Sequence, residues 1–200
     1  MKILGTAQSG AIFSDCMKYR FRLWRSWNPE LPRVCFILLN PSTADEIEND
    51  PTIERQYRRV VSWAVRGLLP EVDLSSRRYP KGFGRIDIVN ACAFRSTDPK
   101  ALFRVDDPVG DLNGENILLA ATEAVASGGL VICGWGIHLS QIIVGQQTLH
   151  NRLVEFLHTS RISLAAFKLN KDGTPVHPLY LGYHLKPHRW EGGQLFEEVV

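Results

Sequence analysis

Val34-Cys35-Phe36-Ile37-Leu38-Leu39-Asn40-Pro41-Ser42 is an apolar run that stops at an amide and a proline. It shows no polar alternation, as expected of a central strand covered on both sides. Downstream, Asp50-Pro51 opens a helix: aspartate caps free N–H groups, and proline suits the first helical position. Ile53, Tyr57, Val60, Val61 and Ala64 keep a helical period up to Gly67. Ile86 to Val89 reads as a second core strand ending in Asn90. Leu130 to Cys133 reads as a third, followed by Gly134-Trp135-Gly136. Asn113 to Ala126 is a helix closed by Gly128-Gly129, and Ile142, Leu149, Leu153, Phe156 and Leu157 mark another. A short helix fits Ser96 to Phe103, and Ser163 to Leu169 is the fourth strand. Strands alternating with helices imply a parallel sheet with helices on both faces.

Upstream, Ile12-Phe13 and Tyr19-Arg20-Phe21-Arg22-Leu23-Trp24 flank Ser14-Asp15 as an N-terminal hairpin. Tyr19, Phe21 and Leu23 alternate with Arg20, Arg22 and Trp24, which predicts one buried face and one basic face. Leu68 to Gly84 breaks the pattern. Pro70, Arg77-Arg78, Pro80 and Lys81 mark a long basic loop, read as an insertion at about residues 68–85. The 200 residues, 44% of them apolar, fit a single domain over residues 1–200. A formal charge of +2 excludes a strongly polycationic DNA coater and leaves room for a local basic groove. No apolar stretch is long enough to span a bilayer, and Met1 to Ala7 lacks a full signal-peptide core, so the expectation is a cytoplasmic, nucleoid-associated monomer with no membrane partner. Cys16, Cys35, Cys92 and Cys133 form no C-x-x-C pair. They read as packing residues, an iron–sulfur cluster being the minor alternative.

The chemistry-bearing residues gather where strands end. Asn40, with Pro41 and Ser42, follows the first strand, Asn90 closes the second, and His177-Pro178 sits in a late segment after the turn Lys171-Asp172-Gly173. In open parallel sheets ligands bind beyond the carboxyl ends of the strands. Two amides and an imidazole there suit cleavage of a base from a sugar: amides read base edges and hold water, and a histidine steadies a developing anion. Each residue also has a plainer reading. Asn40 is a turn residue, Asn90 a strand-end cap, His177 a surface histidine. Asp45 and Asp50 are rival bases, with helix capping favoured for Asp50. Phe94 and Trp135 are candidates for stacking on a base, or core. His184 and His188 follow His177 without a zinc signature, so no metal and no cofactor are expected. Arg77, Arg78, Lys81 and Arg85 are either a solvated charge run or phosphate contacts. Leu179 or Tyr180 is placed to act as the wedge that extruding a base requires, with Tyr79 another option.

These motifs resemble a bacterial and phage family catalogued as a domain of unknown function: Tyr19-Arg20-Phe21-Arg22-Leu23-Trp24-Arg25, Leu39-Asn40-Pro41-Ser42-Thr43-Ala44-Asp45, Asp50-Pro51-Thr52-Ile53, Asn90 to Pro99, Trp135-Gly136 and His177 to Leu181. Their order is similar to that of the uracil-DNA glycosylase superfamily. The resemblance implies a three-layer α/β/α sandwich around a short, mainly parallel, four-stranded sheet, with the N-terminal hairpin added. It implies that Asn40-Pro41 positions the attacking water, Asn90 reads the extruded base, and His177-Pro178 stabilises the leaving base. It extends to phage-defence glycosylases that excise glucosylated hydroxymethylcytosine. Ser42-Thr43 and Leu179-Tyr180 depart from the uracil-enzyme motifs and leave room for a bulkier base. The expectation is a monofunctional DNA glycosylase acting on single- or double-stranded DNA with a modified pyrimidine, with no lysine in the matched motifs for Schiff-base chemistry. The rivals are a hydrolase of free nucleosides or nucleotides, and a non-catalytic nucleic-acid binder.

Overall fold

Residues 1–66 and 82–196 are described by a computed structural model. In chain order the elements are β1 (Lys2–Gly5), β2 (Ser9–Phe13), β3 (Arg20–Ser26), β4 (Arg33–Leu38), α1 (Pro51–Arg66), β5 (Arg85–Asn90), α2 (Asn113–Ala126), β6 (Leu130–Gly134), β7 (Ile143–Val144), β8 (Gln147–Thr148), α3 (Leu149–Thr159), β9 (Ala165–Ala166), β10 (His188–Glu191) and β11 (Gln194–Phe196). Asp50 starts α1 as its residue type dictates: Oδ1 accepts from the Thr52 and Ile53 N–H groups, both at 2.9 Å. The short helix expected near Ser96–Phe103 is a 3-10 turn, Pro99–Phe103, capped by Asp98.

The architecture corrects the expected short sheet of four strands. Among the described residues the main sheet has nine strands in the order β1-β2-β3-β5-β4-β6-β9-β10-β11, and it is mixed. β5, β4, β6 and β9 run parallel in the middle. Antiparallel strands extend both flanks, β3 pairing with β5 and β10 with β9. The added strands pair the outer edges of β5 and β9 and leave the short β1 and β11 as the open edges of the sheet. β1, β10 and β11 escape a reading of apolar periodicity because they are short and mostly polar or exposed, whereas β2 and β3 are read as a hairpin. β1 is largely exposed, and β10 is His-Arg-Trp-Glu with only the tryptophan buried. β9 is just two residues long, shorter than the apolar segment around it.

The N-terminal hairpin is likewise corrected. β2 and β3 do pair, but β1 joins β2 and β3 joins β5, so the hairpin is the flank of the main sheet. Its arginines are not solvated: Arg20, Arg22 and Arg25 are 1%, 4% and 8% exposed. Arg22 donates to Asp87 on β5 at 2.9 Å and pairs with Glu123 on α2, while Arg85 donates twice to Asp87. The Arg22 charge is neutralised within the sheet flank, while Arg20 and Arg25 are satisfied by backbone carbonyls and asparagine amides.

Apolar side chains of β4 alternate between two cores. Cys35, Ile37 and Leu39 pack with Ile117, Ala120, Ala121 and Ala124 of α2 and with Leu149 and Leu157 of α3. Val34, Phe36 and Leu38 pack with Ile53, Val60 and Trp63 of α1. No helix among the described residues is long and apolar enough to cross a membrane.

Candidate active site at the carboxyl ends of the parallel strands

Strand register brings the ends of three parallel strands level. Leu38 of β4 is opposite Asn90 of β5 on one side and Gly134 of β6 on the other. Beyond this row the chains stay together: Ala91 N–H bonds Leu38 O, Cys92 N–H bonds Leu39 O, and Ser96 N–H bonds Pro41 O. The half-buried Asn40 closes this paired exit, its Nδ2 donating to Pro41 O at 3.0 Å and Ser96 O at 2.8 Å. Its Oδ1 accepts no hydrogen bond among the described residues.

Asn90 is 1% exposed and held from three directions. Its backbone continues β5, its carbonyl accepts from Asn113 Nδ2 at 2.9 Å, and its Oδ1 accepts from Arg20 Nη2 at 3.4 Å. The guanidinium has no acceptor to offer, so the amide must turn its oxygen to Arg20, leaving Nδ2 as the free donor. Arg20 also donates to Ala44 O at 2.8 Å. Burial lowers its pKa to about 10, opposed most by the charge of Asp50.

His177 reaches the same end of the sheet because two glycines let it. A Cβ on Gly134 would stand 2.7 Å from Pro178 Cδ, so the His177-Pro178 segment lies directly against the end of β6. Gly136 adopts φ 74°, left-handed backbone that favours glycine, and its N–H bonds Pro175 O at 2.8 Å. The segment is held from below by α1. Arg59, fully buried, donates to Gly182 O and Leu181 O at 2.8 Å each, and Arg55 donates to Leu181 O at 2.8 Å. His177 caps the following 3-10 turn, Nδ1 accepting from Leu179 N–H at 3.4 Å. Burial pushes its pKa down to about 4, against an upward pull from Asp50. At neutral pH the imidazole is therefore uncharged. With Nδ1 an acceptor, the ring proton sits on Nε2, which makes a neutral N–H donor.

The other expected residues divide. Pro41 is buried in the paired exit, and Ser42 beside it is half-buried. Leu179 is half-buried and Tyr180, in the same turn as His177, is 89% exposed. Phe94 bridges Tyr19 at the strand exit and meets its ring edge-on at 5.9 Å. Trp135 is fully buried: its Nε1 donates to His150 Nδ1 at 3.1 Å and its ring meets Trp190 at 5.5 Å, so it is core and no stacking platform. Asp45 is engaged in a turn. Its Oδ1 accepts from Ile47 and Glu48 N–H at 2.8 Å, and these bonds hold its carboxyl below the usual range. Arg85 opens β5 at the opposite end from Asn90, paired with Asp87 and lying over the Trp24 ring. A groove of about 330 Å³ lies there, lined among others by Ile12, Arg22, Trp24, Arg85 and Glu123. It is remote from the two asparagines. Arg77, Arg78, Tyr79 and Lys81 lie outside the described residues. The described thiols are free, and no metal-binding group of three His, Cys, Asp or Glu occurs among the described residues.

Sequence reading missed Arg20, Asn113, Arg55 and Arg59 as supports of this site. One signal was present for Arg59: with Gln56 it falls on the stripe of Ile53, Val60 and Trp63, where a polar residue must be buried and bonded. Among comparisons with known proteins, the model of a protein family of unknown function, DUF1643, matches residues 20–70 and 72–179. No curated protein and no solved structure matches the chain. The family match spans well over half of the sequence, and the chain belongs to the DUF1643 family.

Proposed function

We propose that this protein is a monofunctional DNA glycosylase that hydrolyses the N-glycosidic bond of a modified pyrimidine and leaves an abasic site. The observation that carries the reading is the placement of Asn40, Asn90 and the His177-Pro178 segment at the level carboxyl ends of β4, β5 and β6. Asn90 offers its free Nδ2 to an acceptor on the base edge. Asn40 Oδ1 orients the water. His177 Nε2–H donates to the pyrimidine O2 as negative charge develops there, and being neutral it stabilises that charge without first giving up a proton. Tyr180 fills the space left by the extruded nucleotide. The order of the motifs, similar to that of the uracil-DNA glycosylase superfamily, supports the same chemistry. The departures at Ser42-Thr43 and Leu179-Tyr180 favour a base bulkier than uracil, with glucosylated hydroxymethylcytosine of phage DNA as the leading target and anti-phage defence in the cytoplasm as the role.

A second reading, hydrolysis of free nucleosides or nucleotides, is favoured by one observation: Arg85 is spent on Asp87 and is not available to phosphates. The deciding experiment incubates the protein with phage DNA carrying glucosylated hydroxymethylcytosine, with uracil-bearing DNA, and with the corresponding nucleosides. Released bases are identified by mass spectrometry and abasic sites by alkaline scission. The expected result is base release from modified DNA, lowered about 10²–10³-fold by His177→Ala, the usual loss for one such donor. No base from any DNA, with or without turnover of nucleosides, overturns the glycosylase reading.

A further inference from the structure

We propose that Arg95, with Lys18 opposite it, is a phosphate site at the edge of the strand-end cleft, and that it takes a phosphate of the nucleotide whose base enters the cleft. This rests on the N-glycosidase reading above and deepens it by naming what holds the charged part of the substrate. Arg85, expected from the sequence to meet phosphates, stands at the other end of β5 and is spent on Asp87.

Beyond the end of β5 the chain runs antiparallel beside the start of β3. Tyr19 bridges Phe94, Arg20 N–H bonds Ala93 O and Arg95 N–H bonds Lys18 O, both at 2.9 Å, which sets Lys18 across from Arg95. The next residue, Ser96, is already part of the cleft wall: its N–H bonds Pro41 O and its carbonyl accepts from Asn40 Nδ2. Arg95 is half-buried and fixed from two sides. Its guanidinium lies 4.9 Å from the Phe13 ring centroid, and Nη1 donates to Met17 O at 3.2 Å. The Nε–Nη2 edge is left over. Nε is buried without a hydrogen-bond partner, and no carboxylate among the described residues pairs with the guanidinium. Asp45 feels the Arg95 charge but is held in its own turn by the Ile47 and Glu48 N–H groups. A buried N–H without an acceptor is rare in a folded protein, and the Nε–Nη2 edge is the fork that matches two oxygens of one oxyanion. Lys18 is exposed and likewise forms no ion pair among the described residues. The neighbouring arginines are occupied: Arg20 by Ala44 O and Asn90, Arg22 by Asp87 and Glu123, Arg25 by Asp45 O and Asn49. Two uncompensated cations on one patch beside the cleft suit a ligand that brings both negative charge and paired oxygens, which a phosphate does.

The test measures binding of the whole chain to two probes. One is an oligonucleotide with a tetrahydrofuran abasic analogue, its phosphates replaced one at a time by neutral methylphosphonate; the other is a pyrimidine 5′-monophosphate. Neutralising one linkage beside the analogue is expected to weaken wild-type binding about tenfold, and to cost Lys18→Gln or Arg95→Gln much less. Each variant should lower the slope of log affinity against log salt by about 0.7–0.9, the value for one phosphate contact. Arg95→Lys should keep the slope and still bind less tightly, since the fork is gone. Lys18 is exposed, so Lys18→Gln should melt as the wild type does and carries the test should Arg95→Gln melt early. The same loss in wild type and variants at every linkage overturns the proposal, even where base release is found. Failure to bind either probe overturns it too. Binding of the monophosphate alone, weakened by the same variants and displaced by inorganic phosphate, keeps the site and assigns it to free nucleotides. Coupling on DNA with no base released from any DNA keeps the site and removes the glycosylase reading instead.

Discussion

Lowering the pH tests the state assigned to His177. Burial sets its folded pKa at about 4, below the ordinary 6.5. Above about pH 6.5 the ring is neutral in both folded and unfolded chains and contributes no pH dependence. As the pH falls below that, the unfolded chain takes up the proton first, so stability drops. At pH 5 the loss is up to about 2 kcal/mol, and below pH 4 it levels off at about 3 kcal/mol, a tenfold difference in proton affinity being worth about 1.36 kcal/mol. Denaturant midpoints measured between pH 7.5 and 5 for the wild-type protein and His177→Gln should diverge by this amount, the wild type losing more. His150 is shifted in the same direction by burial, but it is present in both proteins and cancels. ¹⁵N spectra of the imidazole should show a neutral ring with the proton on Nε2 throughout this range. Equal pH dependence of the two proteins, a His177 titration near 6.5, or a proton on Nδ1 would refute both the burial argument and the neutral-donor role.

Three further outcomes are expected. Asp87→Asn leaves Arg22 and Arg85 facing each other in the sheet flank; breaking a buried pair this way costs about 3–5 kcal/mol and lowers Tm on the order of 10 °C, and a thermal melt shifted by less than about 2 °C would contradict it. Tyr180→Ala should leave stability within about 0.5 kcal/mol, as for an exposed residue. It should slow base release from duplex by about tenfold or more, sparing single strands; equal effects on both strand forms remove the wedge role. Arg59→Gln takes the guanidinium away from Leu181 O and Gly182 O, so melting should fall by several degrees and the His177 ¹⁵N signals should move; unmoved signals would show that α1 does not hold the histidine turn.

What the sequence disclosed follows the strength of its periodic signals. Val34 to Leu39 is apolar at every position because helices cover both faces, and so β4, β5 and β6 were readable together with the rows of residues at their ends. α2 begins at Asn113 and ends at Ala126, bounded by its own sequence, and α1 begins at Asp50-Pro51 for the capping reasons given. The outermost strands left a weaker trace: β10 buries only Trp190, and β1 contributes only the partly buried Leu4, whereas β2 and β3 of the same flank carry apolar positions that read as a hairpin. The site divides along the same line. Residues at strand ends were legible from position. Trp135 misleads because a tryptophan after a strand looks the same in sequence whether it faces a ligand or, as here, Trp190 and His150. Arg20 misleads because alternation predicts which face a side chain takes but not what covers that face.

The covered arginines explain why this sheet carries extra strands on the β5 side. A parallel sheet ending at β5 would expose Asp87 and the Asn90 amide along its flank, where water competes for every hydrogen bond. β3 seals that flank and delivers two guanidiniums with it. Arg22 neutralises Asp87 near the start of β5, and Arg20 fixes Asn90 at its end. An arginine in the second position is better suited than a lysine: it offers five donors and no acceptor, so one nitrogen holds Ala44 O and another holds Asn90 Oδ1, which leaves the amide a single orientation. One buried cation therefore ties the Asn90 amide to the loop that follows β4, and the strand that carries it shapes the end of β5 as well as the flank of the sheet.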